Sequence, residues 1–552
     1  MPPHRSSQGS GASLVVEALV SAGVRHLFTL SGNQILSVYD AALDAAPPGL
    51  RLVHTRHEAA AVHMADAWGR LTGQPGVALL TAGPGHLNAV SALYGALMAE
   101  SPLVLLSGHA PRASRGTGAF QEVDQVAAVQ PVTKAAWVAE SASGLGDDVA
   151  RALARARSGR PGPVHLSLPS DLLDEAVPDG AGLPGPAAAH RTPEPDGAAD
   201  GEEQARAVLD LLAEARRPLL LSGPALSRGA AWSAVSRLAE LTGAPALSLE
   251  SPRGLDDPSL REAADCLGEA DLVCLLGKAL DFTLAFGSGF APDCRVVQVA
   301  ATEMPLRQPD RVALAFTGDP VRLVTRLVAA ARRQGWPARE WTRRVTAARD
   351  AWPSVWSGVD LQARPLHPLA VCQALQPYLA GGGILVSDGG EFGQWAQAAL
   401  RAETRLINGP AGSIGSALPM GLAARLAHPD RTVVVTLGDG TFGFHALELE
   451  TAVRCGLPVL VLVGHDGRWN AEHQLQLRHY GPGRTVASEL GPARYDRLAE
   501  ALGAHGERVE DPGQLPSALA RAVASGLPAC VDVLIDGAAA PTFRRGRPPA
   551  RH

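Results

Sequence analysis

Short apolar runs alternate with helix-period stretches along the whole 552-residue chain, and that alternation confines it to α/β architecture built on parallel sheets. Between Ser13 and Pro169, His26 to Leu30, Val77 to Thr81 and Leu103 to Ser107 read as strands, with Glu58 to Leu71 and Leu87 to Ala99 as helices. Asp174 to Glu203 is rich in Pro, Gly and Ala and nearly without period, as a linker is. Strands at Pro218 to Ser222, Leu272 to Leu276 and Arg295 to Val299 begin a second unit that closes in an Arg-rich helix around Leu323 to Arg333. After another loose region, Gly335 to Leu366, a third unit carries strands at Gly383 to Ser387, Thr432 to Leu437, Val459 to Val463 and Ala529 to Leu534. The predicted organisation is three doubly wound parallel-sheet domains, 1–175, 204–334 and 363–540. Linkers at 176–203 and 335–362 join them, and a basic tail, 541–552, is expected to be disordered. No close sequence repeat relates the three.

A chain of this length exceeds what one core supports, which agrees with several domains. A formal charge of -6 offers no basic surface for nucleic acid. Met1 to Ala12 is polar and Gly/Ser-rich, and no run reaches the length of a membrane span, so a cytoplasmic protein without a membrane partner is expected. Six scattered cysteines without a Cys-x-x-Cys pair predict reduced, buried thiols.

The most informative segment is the apolar strand Val433 to Leu437 running into Gly438-Asp439-Gly440-Thr441. A strand end leading into a helix N-terminus presents free backbone N–H groups, which suits a phosphate. Taken alone, Gly-Asp-Gly is equally an ordinary turn. A second strand, however, ends at Gly464-His465-Asp466-Gly467-Arg468-Trp469, with Asp466 27 positions after Asp439. That spacing holds one helix and one strand, so both carboxylates reach the same sheet edge, where Mg²⁺ takes one or two carboxylates with phosphate and water oxygens.

This arrangement resembles the signature of thiamine-diphosphate enzymes, Gly-Asp-Gly followed one helix and one strand later by Asn-Asn. The resemblance implies that Asp439, Asp466 and the backbone carbonyl of Arg468 hold Mg²⁺, and that Gly438, Gly440, Thr441 and Trp469 surround the diphosphate. His465-Asp466 stands where Asn-Asn is usual, which adds a negative charge. In the first domain, Arg56-His57-Glu58, then Thr81-Ala82-Gly83-Pro84-Gly85-His86-Leu87-Asn88, then Gly118-Ala119-Phe120-Gln121-Glu122 resemble the pyrimidine-binding domain of acetolactate synthases. Locally, Glu58 also reads as a first-turn glutamate favoured by the helix dipole.

By the resemblance Glu58 hydrogen-bonds the aminopyrimidine ring and favours its imino form, with Pro84 and Asn88 beside the cofactor. Ile414, in Gly412-Ser413-Ile414-Gly415, is the apolar wedge that bends the cofactor. Gly390, Glu391 and Phe392 bring backbone to the diphosphate. Gly32 and Asn33 approach the reactive carbon and Gln121 the substrate. His86 and His473 are candidates for proton transfer or structural histidines. The likeness runs from about Ser13 to about Asp536 and implies the thiamine-diphosphate-binding fold of pyrimidine, central and diphosphate domains. Sites then lie at subunit interfaces of a homodimer or homotetramer.

The implied reaction is decarboxylation of a 2-oxo acid and ligation of the acyl carbanion to a carbonyl acceptor. Cleavage of a 2-hydroxy ketone or 2-hydroxyacyl-CoA, simple decarboxylation, and a non-catalytic role remain as alternatives. Flavin is expected to be absent, because Gly277-Lys278-Ala279-Leu280-Asp281-Phe282 replaces the usual flavin loop. Trp469 to Gln476 departs from the acetolactate synthase run after the metal, so the substrate stays open.

Overall fold

The computed structural model describes residues 9–45, 49–178, 198–302 and 309–543. The chain divides into two compact units, 1–194 with 422–427, and 195–421 with 428–552.

The first unit holds six parallel strands, β1 (His26–Thr29), β2 (Arg51–His54), β3 (Gly76–Leu80), β4 (Leu103–His109), β5 (Ala135–Val138) and β6 (Pro163–Pro169), ordered β2-β1-β3-β4-β6-β5. The central strands β3, β4 and β6 are buried along their whole length, as parallel strands covered on both faces are. The edge strands β2 and β5 are half-exposed, which is why an apolar-run reading passes over β5. Helix Gly11–Ser21 begins at a reciprocal cap between Ser10 and Ser13 and buries Val15, Val16 and Leu19 in the core. It starts inside the segment read as polar and Gly/Ser-rich. The expected helix Leu87 to Ala99 is two, Pro84–Leu87 and Val90–Met98.

The second unit carries two parallel sheets. One comprises β7 (Pro218–Ser222), β8 (Ala246–Ser248), β9 (Leu272–Leu276), β10 (Arg295–Ala300) and β11 (Val312–Thr317), ordered β11-β10-β9-β7-β8. The other comprises β12 (Ile384–Ser387), β13 (Thr404–Ile407), β14 (Val433–Gly438), β15 (Leu460–His465), β16 (His505–Val509) and β17 (Ala529–Leu534), ordered β13-β12-β14-β15-β17-β16. The three expected α/β sheets are present, each flanked by helices.

Both linkers need correction. Helix Ala198–Glu214 begins inside 176–203, and residues 179–197 lie outside the described residues. The region 335–362 contains helix Glu340–Asp350, which seals the β7–β11 sheet. Trp341 is buried and donates its indole N–H to the Pro218 carbonyl at 2.9 Å, while Arg339 donates to the carbonyls of Ala215 and Leu212. A helix so rich in Arg buries only Trp341 and Val345, too few apolar positions to show a period. Of the expected tail, Phe543 packs edge-on against Trp356, and residues 544–552 lie outside the described residues. All six cysteines lie among the described residues and stand outside any disulfide, and all but Cys455 are buried.

Candidate functional site

In the β12–β17 sheet, β14 lies between β12 and β15, so all three end at one edge, the edge where open parallel sheets bind ligands. Gly438 is level with Gly464, which sets Asp439 beside His465 and Asp466. Asp439 is buried at the first turn of helix Asp439–His445 and accepts a hydrogen bond from the Gly467 amide at 3.0 Å. Burial pushes its carboxyl up to about 6, against the pull of His465 and nearby amides. Asp466 accepts from the Arg468 amide at 3.1 Å, and burial and the charge of Asp439 push it up to about 7. Two carboxylates that resist joint ionisation fit a divalent cation, whose charge removes the conflict. Among the described residues no three His, Cys, Asp or Glu side chains converge on one point, so a cation here needs backbone and ligand oxygens as well.

These groups line a cleft with about 860 Å³ of empty space. Gly390, Glu391, Phe392, Gly412, Ile414, Gly438, Gly440, Thr441, Arg468 and Trp469 all line it with the two aspartates. Gly440 faces Trp469 so closely that an added Cβ would lie 2.8 Å from the indole, so only glycine lets the ring cover the helix start. Thr441 donates its hydroxyl to the Gly438 carbonyl at 3.1 Å.

Asp388, which the sequence reading passed over, organises the opposite wall. It is wholly buried after β12 and accepts from the amides of Gly389 (2.8 Å), Gly415 (3.0 Å) and Ala417 (3.0 Å), and burial pushes it up to about 6 against those donors. The loop carrying Ile414 is thereby pinned to the end of β12. His445 adds a 2.7 Å contact from Nδ1 to the Gly415 carbonyl. His465 is held from behind: its Nδ1 lies 2.8 Å from Asp532, which also accepts from Arg508 at 3.0 Å. Burial works against its charge, but Asp532 and then Asp439 outweigh burial and raise its pKa. His473 is buried with Nδ1 3.1 Å from the Ser488 hydroxyl.

In the first unit the motifs also gather at one sheet edge. Glu58 is the first residue of helix Glu58–Thr72, whose start His57 caps by accepting the Ala59 amide at 3.1 Å. Its carboxylate is half-buried and accepts from Asn88 Nδ2 at 3.0 Å. Gln34 accepts from the Thr81 hydroxyl at 2.5 Å and donates to Gln121 at 3.0 Å, which joins three loops. Gln34 was not among the expected residues, although it follows Gly32 and Asn33 directly. Gln121 takes a positive φ of 60°. Pro84 and Asn33 are exposed.

His86 is different. It is fully buried, with Nδ1 2.9 Å from Ser107 and Nε2 3.1 Å from the Gln125 carbonyl, and burial holds its pKa down at about 4. Both ring nitrogens are occupied by the protein. This is the arrangement of a structural histidine rather than of a group that transfers protons to a ligand.

Comparison with known proteins agrees with this geometry. Residues 9–128, 205–327 and 388–533 match, in turn, the N-terminal TPP binding domain, the central domain and the C-terminal TPP binding domain of thiamine pyrophosphate enzymes. The chain is 37% identical over 534 residues to a protein of Mycobacterium tuberculosis named acetolactate synthase large subunit, covering 95% of each chain. It is 32% identical over 558 residues to a 2-hydroxyacyl-CoA lyase of Oryza sativa subsp. japonica, again covering 95% of each. A catabolic acetolactate synthase of Raoultella terrigena is also 32% identical, over 97% of this chain and 96% of its own.

Proposed function

The chain belongs to the thiamine pyrophosphate enzyme family, as an acetolactate synthase-like member, and from that premise we propose that it uses thiamine diphosphate and Mg²⁺ to decarboxylate a 2-oxo acid and ligate the acyl group to a carbonyl acceptor. The observation that carries this is the pair of a buried Asp439 and a half-buried Asp466 beside a helix N-terminus in one cleft with Ile414. Bound thiamine diphosphate supplies the electron sink for the bond next to the carbonyl.

The protein's share is binding, orientation and proton placement. Asp439, Asp466 and the Arg468 carbonyl fit a hard cation, being oxygen donors with two charges. The amides of the helix that opens at Asp439, with Gly390 to Phe392, suit the diphosphate. Ile414, pinned by Asp388, supplies the rigid apolar support. Glu58, oriented by Asn88, hydrogen-bonds the pyrimidine ring. Gln121, Gly32 and Asn33 face the substrate, and His86 keeps a structural part. We assign the active form to a cytoplasmic homo-oligomer, dimer or tetramer, with sites between subunits and without flavin. No helix among the described residues is long and apolar enough to cross a membrane.

A second reading, cleavage of 2-hydroxyacyl-CoA, is favoured by the similarity to proteins of that name. Incubation with thiamine diphosphate, Mg²⁺ and a panel of 2-oxo acids, alone and with aldehydes, separates the two. Carbon dioxide with a ligated product supports the first. Silence there, with an aldehyde and formyl thioester released from a 2-hydroxyacyl-CoA, supports the second.

A further inference from the structure

Two arginines line the cleft, and while Arg468 has a part in the chemistry above through its carbonyl, Arg253 has none. Arg253 stands on the loop after β8 and lines the same cleft as Asp439 and Ile414. Its backbone is held on several sides. Glu250 pairs with Arg405 of β13 at 3.2 Å, and the Pro252 ring lies against Gly412, 3.5 Å from where a Cβ would be. Gly254, at φ +53°, backs onto Thr283 so closely that a Cβ would fall 1.9 Å from its carbonyl oxygen. The Arg253 amide donates to Ser251 Oγ at 3.2 Å, and its carbonyl accepts from the Asp256 amide at 2.9 Å.

From this anchored backbone the guanidinium enters the cleft, and burial lowers its pKa against the opposing charge of Glu391. Among the described residues no carboxylate lies within ion-pair distance of it. Glu391 faces it, but that carboxylate is engaged by the Ala540 amide at 2.7 Å and by Gln394 at 3.0 Å. A half-buried guanidinium that pairs with no carboxylate among the described residues is free to donate to an anionic ligand. The proposed diphosphate has its own cation and backbone amides on the other walls, so the anion left for Arg253 is the substrate's.

We infer that Arg253 receives the carboxylate of the 2-oxo acid through a charge-assisted, two-pronged hydrogen bond, and so selects charged substrates over neutral ones. The inference rests on the reading of the cleft given above. It is tested by calorimetric titration of the full chain, loaded with thiamine diphosphate and Mg²⁺, with pyruvate and with its neutral methyl ester. The wild type is expected to prefer pyruvate, and Arg253→Met to bind pyruvate roughly ten- to a hundredfold more weakly with the ester unaffected. Arg253→Lys, which keeps the charge without the fork, is expected to retain part of the preference, and thiamine diphosphate affinity to be unchanged in both variants. Three results overturn the inference: no preference in the wild type, a preference that survives Arg253→Met, or a parallel loss of thiamine diphosphate affinity, which makes Arg253 a diphosphate anchor. Charge-selective binding in a wild type that turns over no 2-oxo acid leaves this site standing and removes the proposed reaction instead.

Discussion

The first and third sheets have the same strand order, β2-β1-β3-β4-β6-β5 and β13-β12-β14-β15-β17-β16, whereas the middle sheet, read in the same direction as β8-β7-β9-β10-β11, shares the first four places and ends in one strand instead of two. Corresponding strand ends can therefore be set side by side. After β1 comes Gly32-Asn33-Gln34, and after β12, Asp388 to Phe392. After β2 comes Glu58, and after β13, the loop to Ile414. After β3 comes Thr81 to Asn88, and after β14, Asp439 to Thr441. The loop after β4 leads to Gln121, and β15 leads into Asp466. The first edge is furnished with amides, hydroxyls and one half-buried carboxylate, and the third with the buried Asp388 and Asp439 and with Asp466 beside them. One topology presents the same places twice, and a few loop residues make one edge suit a neutral ring and the other an anion with its cation.

Separating the two edges by substitution is the strongest way to break that division. Asp439→Ala is expected to weaken cofactor binding by about a hundredfold or more, measured by titration with thiamine diphosphate and Mg²⁺. Glu58→Gln is expected to leave that affinity nearly intact while turnover falls by about 10²–10⁴. Equal cofactor affinity for wild type and Asp439→Ala would sink the assignment of the third edge.

The anchors beneath the two edges differ in the same sense. Asp388→Ala strands buried amides at Gly389, Gly415 and Ala417 and is expected to cost about 3 kcal/mol in urea unfolding. Gln34→Ala, which removes neutral hydrogen bonds, is expected to cost about 1 kcal/mol.

Acid sharpens the contrast, because the two networks titrate with opposite sign. Asp388 is raised from 3.8 to about 6, so the native state keeps a proton that the unfolded chain releases; its contribution is full below 3.8 and is lost as pH rises through 6. His86 is lowered from 6.5 to about 4, so its contribution is full above 6.5 and is lost as pH falls through 4. Protection factors for amide exchange, measured in the cofactor-free protein at about pH 5 and about pH 7.5, are expected to fall with acid around Ser107 and Gln125 and to rise around Gly415. The smallest effect is at Asp466. Asp466→Asn keeps an oxygen ligand and removes a charge that conflicts with Asp439, so cofactor affinity is expected to stay within about threefold, by the same titration.

What the sequence made legible was local. The alternation of runs disclosed the three α/β sheets, and the strand-to-glycine junctions of the third sheet pointed to residues that line one cleft in the folded chain. What it hid depends on distance along the chain or on half-burial. Asp388 meets Gly415 and Ala417 27 and 29 positions away, and Gln34 meets Gln121 across 87, so neither pairing leaves a local pattern. Helix Glu340–Asp350 was read as linker because its face toward the sheet is little more than one tryptophan and one valine. His86 stood in the middle of an informative motif and was taken for a candidate on that account, while its side chain turns into the core.

The chain His465–Asp532–Arg508 bears on what position 465 can hold. Asp532 is wholly buried and is held by the imidazole on one side and the guanidinium on the other. Putting asparagine at position 465 withdraws one of the two groups that make this carboxylate tolerable so deep in the sheet, and the loss of Arg508 withdraws the other. The effect of asparagine at position 465 therefore depends on β16 and β17, two strands that contribute no residue to the lining of the cleft. Substitutions at this sheet edge and behind it are coupled through the buried Asp532.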